Sequence, residues 1–438
     1  MLQTHPKVGV AIALLLSTAM WLYVNKVLAA HQRTEAATRQ TPRGNLSDLY
    51  PRWLGSRELL LHHRDPYSAE VTREIQMGYY GRPLDPSRPG DPKDQQAFAY
   101  PVYVAILLAP TIHLPFEPLR IAFDGLLIAF TATSVWSWMK VMRWTAQFPV
   151  LLVAVILVLG SFPAVQGIKL DQLTLLVAGL LSLSAFFLGQ GRLLTAGVVL
   201  AIATIKPQLV APLATCLLFW ALVDWRRRWP LASGFAATMA LLLGVSEIML
   251  PGWLPKFWVA LHQYVAYTGG ISLIDKLLST GPGLSGAVAI MAILLVLVWR
   301  LRGQEPGTRD FSIVLAKILT ATFLLVPGFA PYNQLLLLPA VLLIAREWNC
   351  TWRSGSVAKA MLVATVIALG WPWVAATVLT VTALGFSATA AQSAWPVPLY
   401  SILAIPLVLL LDLALLSGNA GSFEASEVPQ LALDAGKR

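Results

Sequence analysis

The residues that could do chemistry in this chain of 438 are few. Asp48 stands in the long polar segment, residues 31–96, that follows the first apolar run. There a carboxylate could face a polar headgroup and a lipid-embedded molecule together. Capping by Ser47 or Asp48 explains the same placement, because an oxygen just before a helix accepts from its first unpaired backbone N–H groups. Asp65, in Arg64-Asp-Pro-Tyr67, precedes a proline as helix starts often do, so a structural role stands beside a functional one. Lys169, Asp171 and Gln172 fall in Gly167-Ile-Lys-Leu-Asp-Gln-Leu173 at the edge of an apolar span, where the first two could simply pair as an interfacial salt bridge. Lys206 lies inside an apolar stretch; ionisable residues at membrane depth are functional candidates by default, and snorkelling to the surface is the alternative. Tyr332, Asn333 and Gln334 occupy a turn bracketed by Pro327 and Pro331, and His262 sits in Leu261-His-Gln-Tyr-Val265, where a structural histidine is the competing reading. His62 and His63 are adjacent and point different ways on a helix, so they make no metal pair. Cys216 and Cys350 form neither a disulfide framework nor a metal spacing, and no metal or cofactor is expected.

The elements that must hold these groups are membrane helices. Hydrophobic residues make up 57% of the chain and charged residues 12%, against about 25% charged in soluble domains; the mean hydropathy is +0.66. The fold class is therefore all-α, a polytopic transmembrane protein. The net charge of +10 would suggest nucleic acid in a soluble chain. Here the excess sits in short loops such as those around Arg226, Arg227 and Arg228 and from Arg300 to Arg309, which are topology signals, and no nucleic-acid partner is expected. The run at residues 8–30 lacks a small-residue cleavage site and reads as a retained span.

A crossing takes about 20 mostly apolar residues. Candidates lie near residues 8–30, 119–139, 148–164, 171–188, 193–223, 230–250, 283–299, 311–328, 331–345, 357–387 and 397–416, and about 11 to 13 crossings are expected. Residues 100–114 are too short and proline-punctuated to count. Placing Lys140, Arg143, Arg226, Arg300 and Arg346 in the cytoplasm puts the first long loop on the opposite, outer face, together with the turns at residues 165–172 and 326–334. Parity then makes 193–223 a pair of short helices broken at Lys206-Pro207, since proline removes a helical hydrogen bond. The domains follow: a first span at 1–30, an outer loop at 31–98, a multi-span region at 99–416 and a disordered tail at 417–438.

The outer loop carries ten Lys/Arg and nine of the chain's 22 acids. Within it, residues 44–61 place Leu46, Leu49, Trp53, Leu54, Leu60 and Leu61 at helical spacing, which predicts a helix lying on the membrane surface with one wet and one greasy side. Residues 81–94, rich in Pro, Gly and Asp with Arg82, Arg88 and Lys93, read as a flexible lid. The 16 tryptophans, Trp225, Trp229, Trp253 and Trp258 among them, read as an interfacial belt.

An acidic residue after the first span, then Trp53, Glu58-Leu-Leu60, Asp65-Pro-Tyr67 and Phe98-Ala-Tyr-Pro101, is a pattern that resembles glycosyltransferase family 87 of the GT-C superfamily. The likeness continues through Leu193-Leu-Thr-Ala-Gly197, Ile205-Lys-Pro-Gln208 and Pro331-Tyr-Asn-Gln334. The resemblance implies an inverting hexosyltransferase, a mannosyltransferase above all, in a bacterial plasma membrane. Its donor would be a polyprenyl-phosphate sugar and its acceptor a lipid or glycan on the outer face. Asp48 maps onto the general base. Asp65, Tyr67, Lys169, Asp171, Gln172, Lys206, Tyr332, Asn333, Gln334 and His262 would contact substrate, with Lys206 facing a cavity able to hold a lipid phosphate. A transporter or flippase of lipid-linked sugars is the competing class; such proteins often carry internal repeats, and none is evident between the two halves.

Overall fold

A computed structural model describes residues 6–42, 44, 47–85, 87–88, 90–268, 270, 272–326 and 330–418. Every regular element among them is helical. Six helices are long and apolar enough to cross a membrane: Pro6–Thr38, Phe116–Val141, Trp225–Met249, Gly283–Arg300, Ser356–Gly385 and Ala388–Gly418. A seventh arises if Phe148–Leu159 and Phe162–Lys169, bent by 58°, are one broken span. The expected 11 to 13 crossings would need shorter apolar helices such as Leu173–Gly189 to cross as well. The expected tail lies outside the described residues except for Ser417 and Gly418, which end the last helix.

The break inside 193–223 falls where proline chemistry puts it. One helix runs Leu193–Ala203 and the next Pro207–Val223, with Pro207 in its first turn. Proline at that position loses nothing, because its missing N–H would have had no intrahelical partner. Thr204, Ile205 and Lys206, in the gap, are all buried. Their N–H groups donate to the Ala201, Ile202 and Ala203 carbonyls, and such non-helical backbone at membrane depth needs protein cover.

The helix before the break is locked to Trp225–Met249 by two glycines. A Cβ on Gly197 would come within 2.1 Å of the Leu231 carbonyl oxygen, and one on Gly234 within 2.4 Å of the Leu194 carbonyl oxygen. Small residues at such a crossing let two backbones touch. Gly197→Val forces them apart, and overpacking of this kind costs about 1–3 kcal/mol. The expected result is a lower melting temperature in detergent with Gly234→Val behaving alike; unchanged melting of both would show that the crossing tolerates a side chain.

The first helix runs on into the polar segment as far as Thr38, and beyond it the described residues of the segment form two helices, Leu49–His62 and Ala69–Tyr80. Of these two, Leu49–His62 does not show the expected wet side. Leu49, Trp53 and Leu59 are buried, but so are Pro51, Ser56 and Glu58 on other sides of the helix. Trp53 and Tyr50 pack on Phe116, with ring centroids 5.3 and 5.0 Å away, and Gly55 lies so close to Phe98 that a Cβ would sit 2.4 Å from its ring. Helical spacing tells which residues share a side, not whether lipid, water or protein covers it. Leu46 lies outside the described residues. Residues 100–114 fold as a short helix, Val104–Leu108, and a 3-10 turn, Ala109–Thr111, beneath this helix. The tryptophan belt also has an exception: Trp225, Trp229 and Trp258 are exposed, whereas Trp253 is buried edge-on against Tyr103.

Candidate active site

Asp48 occupies the N-cap position of Leu49–His62, yet its carboxylate makes no capping bond. The side chain turns instead toward the junction of Phe162–Lys169 and Leu173–Gly189, where the Gln172 amide donates to it. The backbone is tied to the same junction: the Asp48 N–H donates to the Leu170 carbonyl at 3.0 Å. Arg52, one turn further along, reaches back to the Asp48 carbonyl. Burial pushes the Asp48 carboxyl above the ordinary aspartate range; Arg52 pulls it back, Asp94 adds to the push, and Lys206 and Gln172 pull it down.

Behind Gln172 lies Lys206. It is 7% exposed, donates to the Thr174 hydroxyl at 2.7 Å and to the Gln172 side-chain oxygen at 3.5 Å, and stands 5.1 Å from the Tyr332 ring centroid. Thr174 in turn donates to the Asn333 side-chain oxygen at 3.1 Å. Gln172 therefore has the carboxylate on its NH₂ and the ammonium at its oxygen, the arrangement an amide's donor and acceptor ends favour. Snorkelling does not describe Lys206, whose ammonium is directed into this cluster. Arg52 lies over the Tyr100 ring at 4.5 Å. Against the upward push of burial, Lys206 and Arg52 together hold the Tyr100 phenol below its ordinary value. Two cations thus converge beside one carboxylate.

Asp48 also borders a cavity of about 1260 Å³. Its walls include Val24, Leu28 and Arg33 from the first helix, Tyr79 and Tyr80 from Ala69–Tyr80, and Arg120, Gln166 and Lys169 from the membrane helices. Gly90, Asp91, Pro92 and Asp94 close one side. The segment expected to be a flexible lid is thus a wall with its own internal ties: Arg82 pairs with Asp91, which also accepts from the Asp85 N–H at 2.7 Å. Pro86 and Pro89 lie outside the described residues.

Other expected contacts are placed elsewhere. Asp65 does not begin a helix; Ser68 caps Ala69–Tyr80, while Asp65 accepts from the Tyr67 N–H at 2.9 Å and bridges to Lys256 at 2.9 Å. A tight turn that proline permits, not a helix, follows it. Tyr67 donates to the Tyr100 carbonyl at 2.6 Å and so supports the cluster from behind. Lys169 and Asp171 do not pair with each other: Lys169 donates to Asn25, and Asp171 takes Arg120 at 3.1 Å. Asp171 has φ of 49°, in the left-handed region. Gln334 donates to the Ile402 carbonyl at 2.7 Å and lines a separate apolar cavity of about 380 Å³. His262 is exposed, its ring 4.6 Å from Trp258 and its Nδ1 against the Trp258 carbonyl at 2.8 Å. Neither belongs to the cluster. Arg52, Tyr100 and Thr174 do, and sequence reading missed them because each looks like an ordinary loop or helix residue until the fold brings it to Lys206 or Asp48. Among the described residues, no three His, Cys, Asp or Glu side chains are grouped to hold a metal ion.

A family model, glycosyltransferase family 87, matches residues 98–327, slightly more than half of the chain. The match takes in Gln172, Thr174 and Lys206 and, of the elements on which the resemblance rested, those at 98–101, 193–197 and 205–208; it begins after Asp48, Trp53, Glu58-Leu-Leu60 and Asp65-Pro-Tyr67 and ends before Pro331-Tyr-Asn-Gln334. No curated protein matches, and no solved structure does.

Proposed function

The chain belongs to glycosyltransferase family 87 and is thus a membrane glycosyltransferase, and from that premise we propose that it moves a hexose, mannose, from a polyprenyl-phosphate donor to a lipid or glycan acceptor. The reaction runs with inversion on the outer face of a plasma membrane, in a GT-C-type fold whose shorter helices also cross. Asp48 is the general base. The observation that carries this reading is the Gln172 amide, bound to the Asp48 carboxylate at one end and facing the buried Lys206 at the other.

In the proposed step the acceptor hydroxyl enters from the large cavity and gives its proton to Asp48. Its oxygen forms the new bond to the anomeric carbon as the bond from that carbon to the phosphate oxygen breaks. The lipid phosphate leaves with an added negative charge, which Lys206 offsets, assisted by Arg52. Fixed cations in a site sheltered from water stabilise such developing charge without reorganising. Tyr332 and Asn333 border the sugar; Asn333 is 4% exposed and already oriented by Thr174.

The test is transfer of radiolabel from a panel of polyprenyl-phosphate hexoses to membrane lipid extract by the purified protein. Transfer from the mannosyl donor alone is the expected result. Transfer from another hexose would correct the sugar, and movement of the donor across vesicle membranes without transfer would replace the reading with a flippase.

A pH dependence follows from the burial of Asp48. The base works as a carboxylate, and burial raises its pKa, so acidification disarms it sooner than it would an exposed aspartate near about 3.9. Turnover is expected to fall about tenfold per pH unit on the acid side, with the limb above the exposed value. A turnover profile flat down to pH of about 4 would contradict a raised Asp48 as base.

A further inference from the structure

Asp48 is held by a neighbouring turn as well as by Arg52 of its own helix. Two of its ties, the Leu170 carbonyl and the Gln172 amide, belong to the three-residue turn between Phe162–Lys169 and Leu173–Gly189. That turn reverses at Asp171, whose φ of 49° is uncommon for a residue with a Cβ. Aspartate tolerates this conformation better than most, but the surroundings must still hold it there. Two backbone bonds close the turn, Asp171 N–H to Ile168 at 2.9 Å and Gln172 N–H to Gly167 at 2.8 Å.

A further hold comes from Arg120, on Phe116–Val141. Its Nε donates to the Asp171 carboxylate at 3.1 Å and its Nη2 to the Lys169 carbonyl at 3.5 Å, so one guanidinium grips both ends of the reversal. The Asp171 side chain is fully buried, and that of Arg120 is 28% exposed toward the large cavity. A planar guanidinium has several donors in one fixed frame, which a lysine cannot reproduce. Ser47 and Asp124, the latter one helical turn from Arg120, also act on Asp171; burial first, and then Asp124, push the Asp171 carboxyl up, while Ser47 first, and then Arg120, oppose them.

We propose that Arg120 and Asp171 form a positioning clamp that sets the catalytic geometry of Asp48 through the Leu170 carbonyl and the Gln172 amide. The proposal rests on Asp48 being the base. Gln172 is the link: a shift of the turn would withdraw its amide from Asp48 and its oxygen from Lys206 together. Misplacing a catalytic group by about 1 Å can cost about 10²-fold in rate.

The test compares Arg120→Gln, Arg120→Lys and Asp171→Asn, each purified in detergent and checked for folding by melting and gel filtration. Arg120→Gln is expected to lower kcat by about 10- to 100-fold while donor KM stays within about twofold. Its acid limb moves to higher pH, because Asp48 loses the amide that holds its pKa down. Arg120→Lys restores part of the rate by replacing the charge without the fork. Wild-type kcat and an unmoved limb in Arg120→Gln would overturn the clamp, as would a raised KM with unchanged kcat, which would make Arg120 a substrate ligand. If Arg120→Gln fails to fold, Asp171→Asn, nearly isosteric, carries the same readings. Asp48→Asn measured alongside separates the two ideas: full activity there removes the base, whereas an inactive Asp48→Asn with a wild-type Arg120→Gln removes only the clamp.

Discussion

Asp48→Asn is expected to lower the turnover of sugar transfer by about 10²- to 10⁴-fold, the range a positioned general base contributes, and to leave donor KM nearly unchanged. The substitution keeps an oxygen that can accept from Gln172, so the tie to the Gly167–Leu173 region survives in part and the protein should still fold. The amide cannot take a proton, and that is the whole of the intended difference. Removing a buried carboxylate also relieves its desolvation cost, so melting should not fall. Radiolabel transfer and melting, measured on the same preparation, check this. Turnover within threefold of wild type would return Asp48 to a structural role, and the search for a base would move to Asp94, which borders the same cavity and acts on Asp48.

Lys206→Met is expected to have the second largest effect. Methionine fills much of the lysine's volume without a charge, so the packing between Ala203 and Pro207 is retained while Thr174 and Gln172 lose their cation. A hydrogen bond to a charged group contributes about 1.5–3 kcal/mol, so donor affinity should fall about 10- to 100-fold. Turnover should fall as well, since the phosphate gains charge as it leaves and a cation that grips it most strongly then acts on the barrier. Lys206→Arg should recover little, because Thr174 and Gln172 take a compact ammonium beside the Tyr332 ring, a geometry that a planar fork does not reproduce. Donor titrations of initial rate separate the two effects; unchanged KM and kcat in Lys206→Met would mean that the phosphate lies elsewhere, with Arg33 and Arg39 on the cavity wall the next cations to examine.

The candidate site was legible in the sequence to different depths. Lys206 announced itself, because a lysine followed by proline inside an apolar run is both a break and a buried charge. Gln172 was visible only as part of a polar interruption, and its partner across 124 positions was not. Arg52 and Arg120 looked like surface charges of a loop and of a helix start. Gln334 was placed at the site by its turn between Pro327 and Pro331 and His262 by its position in Leu261-His-Gln-Tyr-Val265; the folded chain sends His262 outward beside Trp258 and Gln334 to an apolar cavity.

What the sequence by itself determined was local or compositional. Apolarity dictates helices in a membrane, where backbone groups have no water to bond. The missing N–H of Pro207 dictates the break beside Lys206. Gly197 and Gly234 permit a close crossing without saying with what. The tertiary structure alone decided which of the charged residues meet. Side chains on separate helices carry no periodicity relative to one another, so nothing in their spacing reveals that the turn at Asp171 delivers Gln172 to Asp48, or that Arg120 grips that turn. The helix at Leu49–His62 shows the same limit: its spacing was read correctly as helical, and only the packing of Phe98, Phe116 and Val104–Leu108 decided that protein, not lipid, would cover it.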